Sequence, residues 1–206
     1  RQRQMCIRDS PYPARWDSLG LNLKTYDVKR CVAVPGDTFE IRNAHYKVYG
    51  YKGTLGCVDS QDKLLHILSI GEERNWGIVM KGFPRDSLVN WTIKDFGPLY
   101  IPEKGGRIWM TPVNGVLYRN AIEWEQKKKL VQRGDIFLLN DSIIQEYQFK
   151  EDYYFVAGDK VMNSKDSRYW GLLPEKFIVG KATLIWKSVD LNTDEIRWNR
   201  VFKRIE

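Results

Sequence analysis

The chain has 206 residues, 43% hydrophobic and 29% charged, with a formal net charge of +7. That length supports one well-buried core or a core with a small insertion, and the positive balance suits a solvated basic surface, an anionic membrane face or nucleic acid. Three cysteines without CxxC spacing and two histidines remote from any acid-rich motif exclude a disulfide framework, a zinc cluster and a histidine-ligated metal, so no metal and no cofactor is expected.

The opening RQRQMCIRDS has no apolar period, and residues 1–10 are expected to be a non-native leader outside the fold, with the native chain starting at PYPARWDS. From Val28, VKRCVAVPGDTFEIRNAHYKVYG alternates β-formers and breaks at Pro-Gly-Asp, which predicts a strand, a turn and a second strand. LLHILSI and IFLLN, the longest apolar runs, fall far short of the roughly 20 residues that cross a bilayer.

Thr111 as N-cap, Pro112 at the first helical position and Val113, Val116, Leu117, Ala121 and Trp124 at helical spacing predict one helix over about 112–128. Lys127 to Lys129 would then sit at its negative dipole end. Arg133-Gly134-Asp135 reads as a turn before a β-run, and Asn140-Asp141 suits a tight hairpin because both residues tolerate positive φ. Further strands are expected at YYFVAGD and FIVGKATLIWKSV, so the chain reads as mainly β.

Two segments are too polar for core strands. On a strand, side chains alternate between faces, so Val28, Arg30, Val32 and Val34 share one face while Lys29 points with Cys31 and Ala33. A desolvated lysine amine among small apolar neighbours is a competent general base. In GDKVMNSKDSR, an extended 163–169 places Ser164, Asp166 and Arg168 on one face. There a hydroxyl can hold an amine and an Asp/Arg pair can brace a loop. Gly158 allows close backbone approach, and Asp159 offers a carboxylate to Arg30.

KRCVAVPGD (29–37) followed downstream by GDKVMNSKDSRYWGLLP (158–174) resembles bacterial type I signal peptidases, which remove signal peptides from exported proteins. NWTIKDFGPLYIPEKG, IVGKATLIWKS and RWNRVFKRIE also look like the Bacteroidetes-type members. The resemblance implies a β-barrel or sandwich core from 11–50 and 150–206, with 51–149 as an inserted β-rich cap carrying the helix. It implies that Lys29 is the general base of a serine/lysine dyad and that Ser164 orients its amine. Arg30 with Asp159, and Asp166 with Arg168, would brace the site beside Gly158, and Val28 would help line the pocket for small side chains of an Ala-x-Ala-like cleavage site.

It further implies signal peptides of exported preproteins and an anionic membrane surface as partners, no nucleic acid, a monomer, and a place on the outer face of the bacterial inner membrane. Eight tryptophans then read as interfacial rather than base-stacking residues. The chain departs from the family in one respect: no Ser-Met-x-Pro-Thr-like motif precedes the lysine strand, and neither Ser10 nor Ser18 stands in one. The nucleophile and the membrane anchor are therefore expected to be missing, and the fragment inactive alone. GDNRxNS of many relatives is GDKVMNS here, with Lys160 and Val161 in place of the Asn and Arg. Two other readings stay open, a serine/lysine peptidase akin to self-cleaving repressors and a non-catalytic β-rich module that binds peptides or surfaces.

Overall fold

The computed structural model describes residues 3–8, 26–190 and 193–205. Ser10, Ser18 and the expected start at residue 11 lie outside them. Strands β1 (Arg3–Arg8), β2 (Tyr26–Ala33), β3 (Thr38–Arg42) and β4 (His45–Val48) lead into helix α1 (Val58–Ser69) and β5 (Phe96–Tyr100). Then come β6 (Arg107–Trp109), helix α2 (Pro112–Gln126), β7 (Leu130–Arg133), β8 (Ile136–Leu139), β9 (Ser142–Ile144) and β10 (Glu146–Gln148). β11 (Tyr153–Ala157), a short helix α3 (Ser167–Trp170), β12 (Leu173–Pro174) and β13 (Ile178–Lys181) follow.

The protein is mainly β, as its alternation implies, and the described strands pair antiparallel. A five-stranded sheet runs β12-β11-β2-β1-β13, with β4-β3-β5, β7-β8-β9 and β10-β6 as smaller sheets. The segment set aside as a leader is thus a strand here, with Met5 across from Lys29. Asn140 and Asp141 take φ of 55° and 61° and close the β8–β9 hairpin as expected. Gly134, at φ 61°, turns the chain between β7 and β8.

The helix content departs from expectation. Residues 58–69 form α1, inside the run that reads as a short apolar stretch in a β-rich cap. Its buried face is Gln61, Leu64 and Ile67, a narrow stripe blurred in sequence by Leu65 and Leu68 beside it. Gln61 is the residue that commits it: its side chain accepts from the Tyr46 amide (3.0 Å) and donates to the Leu55 carbonyl (2.7 Å). α2 matches the expected span within two residues, and Thr111 Oγ1 accepts from the Asn114 amide at 3.1 Å. Its inward face is rotated, however: Gly115, Leu117, Tyr118, Ala121 and Ile122 are buried, whereas Val113 is exposed.

The largest hydrophobic cluster gathers Val32 and Ala33 of β2, Phe39 of β3, Phe155 of β11 and Leu117, Tyr118, Ala121 and Ile122 of α2, so residues on both sides of position 50 share it. Phe39 stacks on Phe155 at 4.3 Å, and Phe96 meets Phe155 edge-on at 5.4 Å. Glu125 of α2 fixes the corner before β11. Its carboxylate accepts from the Tyr147 hydroxyl (2.6 Å), the Tyr153 hydroxyl (2.8 Å), and the amides of Lys150 (3.0 Å) and Glu151 (3.2 Å).

A Cβ on Gly115 would stand 2.3 Å from the buried ring of Phe137. Gly115→Ala therefore loses more to this overlap than it gains in helix propensity, and is expected to cost about 1–3 kcal/mol. Thermal unfolding checks this; a variant as stable as the parent contradicts the packing described.

Candidate active site

The pairing of β2 with β11 makes the site. Ala157 lies opposite Arg30, so the chain leaving β11 at Gly158 and Asp159 emerges beside Lys29 and Arg30. Two motifs more than a hundred residues apart thereby meet at one end of the central strand. Arg30 grips Asp159 with two parallel bonds, Nε to Oδ1 at 2.8 Å and Nη2 to Oδ2 at 2.9 Å. The bonds to Asp159 hold this guanidinium firmly in its charged form, against partial burial.

Asp166 and Arg168 form the second brace, and both are fully buried. Asp166 Oδ1 accepts from Arg168 Nε (2.8 Å), and Oδ2 accepts from Arg168 Nη2 (2.7 Å) and from the Gly158 amide (2.9 Å). The carboxylate thus ties the end of β11 to α3, whose N-cap it also forms through the Arg168 amide at 3.2 Å. The Arg168 carbonyl accepts from the Phe83 amide (2.7 Å), which attaches the 77–93 loop. Burial alone would lower the Arg168 pKa; Tyr46 and Asp166 outweigh it and hold the group above its ordinary value. Ser167, between them, accepts the Val156 amide at 3.0 Å.

Lys29 and Ser164 do not make the hydrogen bond expected of them. Lys29 Nζ donates to Asp27 Oδ2 at 3.0 Å, and the lysine side chain is 12% exposed. Ser164 Oγ is enclosed and has no partner among the described residues. The cause is the strand itself: Asp27 lies two residues from Lys29 and so on its face, where a carboxylate outcompetes a hydroxyl for an ammonium group. Ser164 nevertheless lies over Gly158, where a Cβ would come 2.1 Å from its Oγ. By the antiparallel register, Gly158 is the next position across from Lys29. Val28, the expected pocket residue, is 54% exposed.

Sequence reasoning missed Asp27, although the same alternation that places Lys29 places it too. It also missed what holds the polar loop down. Val161 is buried with Leu64 and Ile67 of α1 and with Ile78 and Ile93. A cleft of about 540 Å³ opens beside Ser164, with Phe83, Arg85, Met162, Lys165 and Trp170 among its walls. Among the described residues, no cluster of His, Cys, Asp and Glu is placed to hold a metal ion.

The model of the family described as signal peptidase, peptidase S26, matches residues 14–187. Signal peptidase I of Buchnera aphidicola from Acyrthosiphon pisum is 56% identical over 84% of this chain and 54% of its own length. That of Buchnera aphidicola from Schizaphis graminum is 48% identical over 86% of this chain and 54% of its own length. Signal peptidase I of Pseudomonas aeruginosa is 26% identical over 59% of this chain and 52% of its own. The chain spans about half the length of these curated relatives.

Removing one partner of a fully buried ion pair leaves the other charge unpaired, so Asp166→Ala is expected to cost about 3–5 kcal/mol. Denaturant unfolding measures it, and a loss below about 1 kcal/mol would mean that the pair is not buried in solution. Gly158→Ala pushes Ser164 aside; a crystal structure of that variant should show the Ser164 hydroxyl displaced, whereas an unmoved serine contradicts the close approach.

Proposed function

The chain belongs to the signal peptidase family, peptidase S26, and on that premise we propose that it forms the catalytic region of a serine endopeptidase that removes signal peptides from exported preproteins. The observation that carries this reading is the convergence of Lys29, Arg30, Gly158, Asp159 and Ser164 through the β2–β11 register.

In the proposed reaction Lys29 is the general base. Its neutral amine takes the proton from a serine hydroxyl, the serine oxygen attacks the scissile carbonyl, and the C–N bond breaks as Lys29 passes that proton to the departing amine. Lys29, neutral again, then deprotonates a water that attacks the acyl-enzyme, and the proton returns to the serine oxygen as the carboxyl product leaves. Ser164 is a positioning residue. Its unpartnered hydroxyl stands ready to hold the amine once Lys29 leaves Asp27. Arg30–Asp159 and Asp166–Arg168 fix the backbone around that exchange. The attacking serine is supplied by a motif not found among the residues carrying this site. The substrate enters extended, as an added strand; the pairing of β1 beside β2 is in keeping with that, since it places an extended segment directly across from Lys29. Val28, exposed next to Lys29, offers an apolar surface for the alanine-sized side chains of the proposed cleavage site.

The reading also sets the protein against the outer face of the bacterial inner membrane. No helix among the described residues is long and apolar enough to cross a membrane. Trp186 and Trp198 are both nearly three-quarters exposed, and Phe202, against Trp186 at 5.0 Å, is also exposed. Indole rings favour the headgroup region, which makes this aromatic edge the contact with the bilayer.

The test uses the full-length enzyme in detergent micelles with a preprotein substrate. Lys29→Ala should lower cleavage by roughly 10²–10⁴-fold while leaving thermal unfolding unchanged. Cleavage within a few-fold of the parent by a folded Lys29→Ala enzyme removes the lysine from the chemistry.

A further inference from the structure

The C-terminal segment folds back on itself as an irregular ribbon, with Leu184 bridging Arg204 and Val189 bridging Ile196. Between this ribbon and β2 lies a cleft of about 740 Å³ whose charged lining is wholly basic: Arg30, Lys187, Arg197, Arg200, Lys203 and Arg204. No acidic side chain faces it among the described residues. Two neighbouring carboxylates are already engaged, Asp159 by both of its bonds to Arg30, and Asp190 at 3.9 Å from Arg197 Nη1.

Six cations drawn around one cavity repel one another, and they keep donors to spare. Arg197 Nη2 donates to the Val189 carbonyl at 2.8 Å, but its buried Nε has no partner. Arg30 spends Nε and Nη2 on Asp159, which leaves Nη1. Arginine forks at this density match a group with several oxygens sharing negative charge, above all a phosphate.

We propose that this cleft binds the phosphate of an anionic lipid headgroup in the bilayer on which the protein rests. This deepens the membrane part of the functional reading above and depends on it. Two features select a lipid rather than a single-stranded nucleic acid. The cleft has no aromatic residue in its lining on which a base would stack, and its non-polar walls are Ile185 and Ile205. The same ribbon exposes Trp186, Trp198 and Phe202 outside the cleft, so it carries both exposed rings of the interfacial kind and cations suited to headgroups. Because Arg30 is shared, an occupied cleft adjoins the residue next to Lys29. A bound headgroup therefore anchors the catalytic strand as well as the ribbon.

The experiment measures binding of the 206-residue chain to vesicles of phosphatidylcholine alone and of phosphatidylcholine with phosphatidylglycerol, followed by tryptophan fluorescence. Phosphatidylglycerol should tighten binding about tenfold or more. Arg200→Glu with Lys203→Glu should remove that gain, whereas Lys127→Glu with Lys128→Glu, an equal change of net charge elsewhere, should keep it. Unfolding transitions of both variants establish that they fold; if the first does not, Lys203→Gln alone is expected to lose part of the gain. Equal losses in the two double variants would reduce the effect to net charge and overturn the site. Displacement by millimolar inorganic phosphate, or tighter binding of a single-stranded oligonucleotide, would reassign the cleft to a free phosphate or a nucleic acid. Binding to phosphatidylcholine without any gain from phosphatidylglycerol would remove the headgroup site while leaving the interfacial aromatic edge and the peptidase reading standing.

Discussion

The buried pair of Asp166 and Arg168 is the constraint on which the site depends. A carboxylate and a guanidinium taken wholly out of water are tolerable only if nearly every lone pair and proton is used. Asp166 meets its side of that demand by bonding the Arg168 side chain twice, the Arg168 amide and the Gly158 amide, while Arg168 uses Nε and Nη2 and leaves its buried Nη1 without a partner among the described residues. The bond to the Gly158 amide matters most, because it converts a local ion pair into a link between α3 and the end of β11. Arg168 extends the link through its carbonyl to Phe83, so one pair organises the strand, the polar loop and the 77–93 loop together.

From that frame follows the disposition of Lys29. β2 lies between β11 and β1, which fixes its backbone on both sides, and the Lys29 side chain is held by Asp27. The resting structure takes the carboxylate. The proposed base catalysis calls for the other arrangement, with the amine turned toward Ser164. On that proposal Lys29 waits in an ion pair with Asp27 and is redirected when an extended chain and a nucleophile arrive. Val161 contributes in a different currency. Buried among the aliphatic residues of α1 and the 78–93 loop, it pins the polar segment by packing.

Much of this was legible in the sequence, for identifiable reasons. Strand alternation and turn chemistry marked β2, the Pro-Gly-Asp turn and the Asn140–Asp141 hairpin, because each depends on local backbone preferences. Thr111 and Pro112 marked the start of α2 in the same way. The Arg30–Asp159 and Asp166–Arg168 pairs were legible as complementary charges whose motifs would explain each other if they met. Less visible were features set by tertiary partners. α1 is committed by Gln61 bridging Tyr46 and Leu55, and the inward face of α2 by Gly115 admitting the ring of Phe137. The expected Lys29–Ser164 bond is absent for a local reason, since Asp27 sits on the same face of the strand and takes the amine.

The claim that Asp166 locks the end of β11 is tested most directly by hydrogen exchange at the Gly158 amide, which the structure bonds to Asp166 Oδ2 at 2.9 Å. A turn held this way opens only when the whole domain does, so the protection of Gly158 should match the global unfolding free energy. Exchange at the rate of an exposed loop, with the β2 amides still protected, would show that the polar segment is free of the strand and that the proposed site is not preassembled.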